Sequence, residues 1–174
     1  MTEKEKGYIQ VYTGDGKGKT TAAFGLALRA AGAGKKVFIG QFVKGMHYSE
    51  LDMIPKIPNI TIKQYGLDCF IYNEPSQDDI DAARAGFFEM KDILCSGEYD
   101  LVIMDEANIA LYYKLFTFDE LRQALISRAE HVEVVITGRK APKELIEMAD
   151  LVTEMKEIKH YYNKGVQART GIEK

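Results

Sequence analysis

The stretch that decides the fold is TGDGKGKTT, residues 13–21. It follows a run typical of a β-strand, residues 8–12, and begins an alanine-rich pattern typical of a helix, residues 19–33. Glycines let the backbone curl so that successive N–H groups can point at phosphate oxygens, and a helix N-terminus adds its partial positive charge. A strand, a glycine-rich turn and a helix in this order predict the phosphate-binding Walker A loop of nucleotide-binding proteins.

The side chains of this loop suit a nucleotide and its metal ion. Lys19 supplies a mobile positive charge for the phosphates, and Thr20 offers a hydroxyl to Mg²⁺. One departure is visible, because Thr13 stands where the usual spacing has glycine. A glycine-rich turn that merely fits between strand and helix is the alternative. The candidate nucleotide-binding residues of the loop are Gly14, Asp15, Gly16, Lys17, Gly18, Lys19, Thr20 and Thr21.

A second polar feature follows the apolar run of residues 101–104, where Asp105 and Glu106 end a predicted strand. Ligands of open α/β sheets gather at the C-terminal ends of the strands, so these carboxylates are expected near the Walker A loop. One carboxylate can then hold the Mg²⁺ that Thr20 also contacts, and in an ATPase the other would orient or deprotonate water. Alternatively, Asp105 caps a helix and Glu106 is solvated.

Short apolar runs alternate with helical patterns along the rest of the chain. Strands are predicted at residues 8–12, 36–42, 59–65, 101–104, 132–137 and 151–155. Helices are predicted at residues 19–33, after the capping pair Ser76 and Asp79, after the capping box of Thr117 and Glu120, and from Pro142 to about residue 149. Residues 43–58 have no clear period and are predicted to form a functional loop or irregular connection. The pattern predicts one α/β domain over residues 1–174, with a doubly wound, mainly parallel sheet of about six strands, of the P-loop NTPase (RecA-like) type.

Composition and charge argue against several classes of function. The 174 residues are 46% hydrophobic and 28% charged, which is ordinary for one globular domain. The net charge of −3 argues against a nucleic-acid partner. The longest apolar stretch, residues 22–31, is interrupted by Arg29 and is shorter than the roughly 20 residues of a membrane span. The N-terminus lacks an apolar signal core and two cysteines are too few for a disulfide framework, so we expect a cytoplasmic protein with no membrane partner.

Motifs spread along the chain resemble those of one family. The run TGDGKGKTTAAFG, residues 13–25, resembles the opening of the P-loop corrinoid adenosyltransferases, enzymes that make adenosylcobalamin from ATP. Their usual form has asparagine at the position of Asp15, whereas the threonine at Thr13 is part of their pattern. Further similarities, in order along nearly the whole chain, are QFVKG at 41–45, Asp105-Glu106, ITGR at 136–139 with Ala141-Pro142, ADLVTEM at 149–155, Lys159-His160, Gly165, Ala168 and GIE at 171–173.

The resemblance implies a reaction that is unusual for a Walker A loop. The cobalt(I) ion of a reduced corrinoid would attack the C5′ carbon of ATP and release triphosphate, with Mg²⁺ as cofactor. The nucleotide would lie reversed in the loop, which leaves the ribose carbon open to the corrinoid. Residues 14–20 would hold the triphosphate, and Thr20 with Glu106 would bind Mg²⁺, with Asp105 as a further candidate. Because cobalt(I) loses no proton during the attack, no catalytic acid or base is expected.

The resemblance also implies contacts to the rest of the two substrates. Asp15 and Arg139 would contact ribose or phosphate, although the carboxylate of Asp15 can accept but not donate a hydrogen bond. Family members carry two aromatics, two positions apart, that close over the corrinoid and keep water from the lower face of cobalt. Here these would be Phe70 and Tyr72; the second is usually tryptophan, and this chain has none. Packing of a loop onto the sheet is the alternative for this pair.

The implied partners are a corrinoid, an electron donor such as a reduced flavoprotein, and a second copy of the chain in a homodimer. The corrinoid would be cobalamin or a precursor such as cob(I)yrinic acid a,c-diamide. An ordinary P-loop ATPase or small-molecule kinase, with Glu106 activating water or a hydroxyl group, is the second hypothesis, and a nucleotide-gated binding module is the third. The leaving group separates the first two, because adenosyl transfer releases triphosphate whereas an ATPase releases ADP and phosphate.

Overall fold

Strands and helices alternate along the chain in the computed structural model, which describes residues 5–67 and 74–173. Within these residues the strands are β1 (Ile9–Thr13), β2 (Val37–Phe42), β3 (Ile60–Tyr65), β4 (Leu101–Asp105), β5 (Glu133–Thr137) and β6 (Leu151–Glu154). The α-helices are α1 (Lys19–Gly32), α2 (Glu50–Met53), α3 (Gln77–Ser96), α4 (Ala107–Tyr112), α5 (Phe118–Ser127) and α6 (Lys143–Met148). Two 3₁₀ turns, Ile54–Lys56 and Tyr161–Lys164, complete these elements.

The strands form one parallel sheet in the order β3-β2-β4-β5-β1-β6. Buried residues of each inner strand alternate between its two faces: Val102 and Met104 pack with α3 and α5 residues, while Leu101 and Ile103 pack with α1 residues. Apolar side chains on both faces are what a parallel sheet covered by helices requires. The predicted fold class, a doubly wound α/β sheet of the P-loop NTPase type, is therefore confirmed.

Local capping signals account for where helices α3 and α5 begin. The Ser76 side chain accepts from the backbone N–H of Asp79, whose carboxylate in turn accepts from the backbone N–H of Ser76. Thr117 and Glu120 form the same reciprocal pair at the start of α5. Because each box involves residues only three positions apart, both helix starts were predictable from the sequence.

Several boundaries differ from the prediction. Residues 43–58, predicted as a loop or irregular connection, contain α2 and the first 3₁₀ turn, and α4 was not predicted at all. The spacing of Leu121, Leu125 and Ala129 predicts a helix that continues to Ala129, whereas α5 ends at Ser127. The last strand ends at Glu154 and its residues are exposed, because it lies at the edge of the sheet. Helices of four or six residues are too short to produce a recognisable apolar period.

The strand order brings polar residues together at the C-terminal ends of the strands. Gln41 at the end of β2 pairs with Asp105 at the end of β4. Thr137 at the end of β5 pairs with Tyr12, directly before the glycine-rich loop. Since all strands are parallel, the loops that follow β1, β2, β4 and β5 all leave the sheet at the C-terminal ends of its strands. Within the described ranges, no helix is long and apolar enough to cross a membrane.

Candidate nucleotide site

The glycine-rich loop is folded tightly against the chain that follows β6. Gly14 and Gly18 have left-handed φ angles of +94° and +119°. A Cβ atom on Gly14 would lie 2.4 Å from the carbonyl oxygen of Met155, and one on Gly16 would lie 2.7 Å from the same atom. The N–H of Gly16 donates to that oxygen at 2.7 Å, so this amide supports the loop itself. Glycine is thus required at these positions by conformation and by close backbone approach.

Lys19 lies inside the loop with only 7% of its surface exposed. Its Nζ donates to the carbonyl oxygens of Gly14 and Gly16 at 2.7 and 2.8 Å. Burial lowers the pKa of Lys19 below its ordinary value, although the nearby carboxylate of Glu106 opposes that shift. A buried ammonium group at the loop is the charge that a polyphosphate would meet.

Asp105 is the buried centre of the site. Its side chain is completely inaccessible, and it accepts hydrogen bonds from four side chains. Thr20 and Thr137 donate to Oδ1 at 2.9 and 2.6 Å, while Gln41 and Lys44 donate to Oδ2 at 3.1 and 2.8 Å. Burial alone would raise the pKa of Asp105, but Lys44 and the threonine hydroxyl donors hold it below its ordinary value. Asp105 is therefore an ionised carboxylate whose lone pairs are all occupied by protein donors.

Glu106 differs from its neighbour because its carboxylate faces a cavity. It precedes α4 in a left-handed conformation with φ of +58° and makes no side-chain capping bond. Its backbone N–H donates to Thr137 Oγ1 at 3.0 Å. Burial and the adjacent charge of Asp105 raise the pKa of Glu106. The alternative in which Asp105 caps the helix is wrong, because the residue at the cap position is Glu106.

The cavity beside the loop has a volume of about 820 Å³, which is the size of a small-molecule site. Most of the predicted nucleotide and metal residues line it. The lining comes from the glycine-rich loop and the start of α1, from the segments that follow β2, β4 and β5, and from the C-terminal tail. It includes Asp15, Gly16, Lys17, Gly18, Lys19, Thr20, Thr21, Lys44, Tyr48, Glu50, Glu106, Arg139, His160, Ile172 and Glu173.

Two predicted residues, Gly14 and Asp105, do not line that cavity, and a third, Lys17, lines it but is directed elsewhere. Gly14 supports the loop against Met155, and Asp105 lies behind Thr20 as a buried acceptor. Lys17 lines the cavity but is directed to the C-terminal tail, where its Nζ donates to Glu173 Oε1 at 2.8 Å and to the carbonyl oxygen of Ile172 at 3.0 Å. The ammonium group of Lys17, predicted to contact the nucleotide, is thus paired with a carboxylate of the chain itself.

Phe70 and Tyr72, predicted to contact the corrinoid, lie outside the described residues.

Gln41, Lys44 and Thr137 belong to the site although their types and spacing did not reveal it. Gln41 and Lys44 lie in the QFVKG motif and Thr137 lies in the ITGR motif, each at or just after the end of an apolar strand, but neither motif assigns them a role beside Asp105. Their roles depend on which strands are neighbours, since Gln41 and Thr137 reach Asp105 from β2 and β5 on either side of β4.

The fold and the site together define a nucleotide-binding protein of the P-loop class: a glycine-rich loop between β1 and α1, a buried lysine in it, and carboxylates at the end of β4, which β5 separates from β1. The sequence model of the family described as ATP:corrinoid adenosyltransferase BtuR/CobO/CobP matches residues 5–173. The chain belongs to this family, which confirms the resemblance seen in its motifs.

Curated relatives are similar over almost the whole chain. The corrinoid adenosyltransferase of Escherichia coli is 38% identical over 99% of this chain and 88% of its own length. Corrinoid adenosyltransferase CobA of Salmonella typhimurium is 35% identical over the same shares. The corrinoid adenosyltransferase of Pseudomonas aeruginosa is 35% identical over 97% of this chain and 84% of its own length.

The hydroxyl of Thr137 generates a testable prediction. Thr137→Val removes a donor to Asp105 and the acceptor of the Glu106 N–H, so it should lower the free energy of unfolding by about 1–3 kcal/mol in urea denaturation. Thr137→Ser keeps the hydroxyl and loses only a methyl group, so we expect it to lose less. Equal losses in the two variants would contradict a role for the hydroxyl.

Proposed function

We propose that this chain transfers the 5′-deoxyadenosyl group of ATP to the cobalt(I) ion of a reduced corrinoid in cobalamin synthesis. Family membership over residues 5–173 carries the proposal, because the match includes the tail as well as the glycine-rich loop that many unrelated ATP-binding proteins share. The cavity is consistent with this activity, since the loop, Glu106 and Arg139 line one space large enough for a nucleotide.

The reaction needs alignment and charge neutralisation rather than proton transfer. An electron pair on cobalt(I) forms the bond to C5′ while the bond between C5′ and the triphosphate oxygen breaks. That bond's electron pair leaves with the triphosphate, and cobalt is formally oxidised from (I) to (III). What the protein supplies is a fixed position for C5′ and positive charge around the leaving group.

The residues that hold the triphosphate are those of the loop, from Gly14 to Thr20, with Thr21 at the start of α1. Lys19 would leave the carbonyl oxygens of Gly14 and Gly16 and donate to phosphate oxygens instead. Arg139 and Asp15 both line the cavity and would contact ribose or phosphate, Arg139 as a donor and Asp15 as an acceptor.

The oxygen donors of the site fit Mg²⁺. Thr20 donates its own hydroxyl proton to Asp105, so its oxygen keeps both lone pairs for acceptance, and the group within reach of them is the ammonium of Lys44 at 3.4 Å. Burial makes the ionised form of Glu106 costly, and a nearby cation would relieve that cost. Thr20 and Glu106 would hold the metal and Asp105 would orient Thr20. Mg²⁺ neutralises charge on the triphosphate when it is bound.

The tail supports the same site from the other side. Tyr161, Arg169 and Lys17 all bind Glu173, and this carboxylate lines the cavity together with Gly171 and Ile172. Hydrogen bonds from Arg169, Lys17 and Tyr161 lower the pKa of Glu173 well below its ordinary value. Triphosphate in the loop would compete with Glu173 for the ammonium group of Lys17.

The remaining features of the proposal come from the family resemblance. The corrinoid is cobalamin or a precursor such as cob(I)yrinic acid a,c-diamide, the partner that supplies electrons is a donor such as a reduced flavoprotein, and the protein is a cytoplasmic homodimer. One observation supports a partner copy: Leu151 and Val152 on the edge strand β6 are 46% and 39% exposed, and an uncovered parallel edge favours association.

The reaction products give the direct test. With ATP, Mg²⁺ and chemically reduced cobalamin, we expect light-sensitive adenosylcobalamin in the visible spectrum and one triphosphate per product. Lys19→Ala should lower the rate at least about 100-fold, because it removes the buried charge at the loop. Lys35→Ala, which changes an exposed lysine after α1, should leave the rate unchanged. Release of ADP and phosphate without a cobalt–carbon product would instead favour an ATPase or kinase.

Phe70 and Tyr72 are proposed to cover the lower face of the corrinoid. Because cobalt(II) without a lower axial ligand is easier to reduce, Phe70→Ala should slow the reaction more from cobalt(II) plus reductant than from pre-reduced cobalt(I). Phe88→Ala, which changes an exposed aromatic on α3, is the matched control and should slow neither. Equal slowing of Phe70→Ala from both starting states would count against this role.

A further inference from the structure

The ammonium group of Lys44 lies among the oxygen atoms proposed to hold and orient the metal. Its Nζ is 2.8 Å from Asp105 Oδ2 and 3.4 Å from Thr20 Oγ1, within hydrogen-bond reach of both. The side chain is only 14% exposed, and Nζ lies 5.4 Å from the centre of the Tyr48 ring. Lys44 follows β2, on the opposite side of Asp105 from Thr137.

The backbone that carries Lys44 is closely packed. A Cβ atom on Gly45 would lie 2.3 Å from the carbonyl carbon and oxygen of Leu67, and one on Gly66 would lie 2.6 Å from the backbone nitrogen of Lys44. Val43 is held at a φ of +56°, which a β-branched residue rarely adopts. Because the backbone is confined in this way, movement of the ammonium group falls to the flexible side chain.

The charge of Lys44 is what makes a buried Asp105 tolerable without a metal ion. Thr20, Thr137 and Gln41 satisfy lone pairs of the carboxylate but bring no net charge. Lys44 is the cation that contacts the carboxylate within the described residues, and the two form an ion pair with almost no solvent access. Removing one partner of such a pair leaves an uncompensated buried charge.

The same ammonium group competes with a divalent cation. Thr20 Oγ1 has two lone pairs, and Lys44 is positioned to donate to one of them from the cavity side. A metal ion bound to that oxygen would be repelled by an ammonium group within a few ångströms. Lys44 and a metal therefore alternate at Thr20 rather than share it.

We propose that Lys44 is a positioning residue that serves as the resident cation of the site. While no nucleotide is bound, it compensates Asp105 and keeps Thr20 in place; when Mg²⁺ arrives with ATP, its side chain turns from Thr20 toward the phosphates. It thereby prevents the metal from binding before the nucleotide. The inference rests on the proposed function only in assigning the metal to Thr20.

Metal binding without nucleotide tests this role. In Mn²⁺ titrations followed by electron paramagnetic resonance, the unmodified chain should bind Mn²⁺ weakly in the absence of ATP. Lys44→Met keeps an unbranched side chain but removes the charge, so we expect Mn²⁺ affinity without ATP to rise at least 10-fold. Lys44→Arg keeps the charge and should restore weak binding. Lys63→Met, on strand β3 of the same sheet, breaks an exposed ion pair with Glu89 of α3 and should leave Mn²⁺ binding unchanged.

A folded Lys44→Met variant with unchanged Mn²⁺ affinity would overturn the proposal. If Lys44→Met is too unstable to titrate, the double variant Lys44→Met/Asp105→Asn decides, because it removes both buried charges. Its thermal midpoint should lie above that of Lys44→Met alone; a midpoint no higher would overturn the proposal. Neither readout involves adenosyl transfer, so failure of the proposed function would appear in the reaction products and not in these measurements.

Discussion

The buried carboxylate of Asp105 is the constraint on which the site depends. A charge with no access to water is tolerated only when its oxygens are fully hydrogen-bonded and its charge is compensated. Thr20 from α1, Thr137 from β5, Gln41 from β2 and Lys44 from the segment after β2 meet those needs. The Asp105 side chain thus requires four donors from separate parts of the chain to lie at hydrogen-bonding distance. The position of the Thr20 hydroxyl follows from this requirement.

The loop is held in shape by contacts within the chain itself. Gly14 and Gly16 pack against Met155. Lys19 donates to two carbonyl oxygens of the loop, and its ammonium group therefore lies where it can meet the charge of a phosphate. Lys17 is likewise occupied, by Glu173 of the tail. When a triphosphate binds, Lys19 and Lys17 therefore exchange partners within the chain for phosphate oxygens. The free-energy cost of this exchange is lower than that of ordering a disordered loop.

Much of the fold was predictable because its signals are local. The glycine-rich turn between a strand and a helix, the capping boxes at Ser76 and Thr117, and the apolar run before Asp105 each lie within a few residues. The site was only partly predictable. Thr20, Glu106 and Arg139 could be found from motifs, and they do line one cavity.

What the sequence did not reveal depends on contacts between distant segments. Gln41, Lys44 and Thr137 acquire their roles because β2 and β5 flank β4, and no residue spacing encodes that order. The pairing of Lys17 with Glu173 joins residues 156 positions apart. Helix α4 was missed because six residues are too few to show an apolar period.

The central claim is that the Asp105 framework holds Thr20 so that a metal and the triphosphate lie in the loop and the ribose C5′ faces the open cavity. A crystal structure of the chain with Mg²⁺ and ATP tests it most directly. The account predicts the metal on Thr20 and Glu106, the hydroxyl of Thr20 still donating to Asp105, and C5′ open to the cavity. A structure with C5′ enclosed by protein and the γ-phosphorus facing the opening would contradict it.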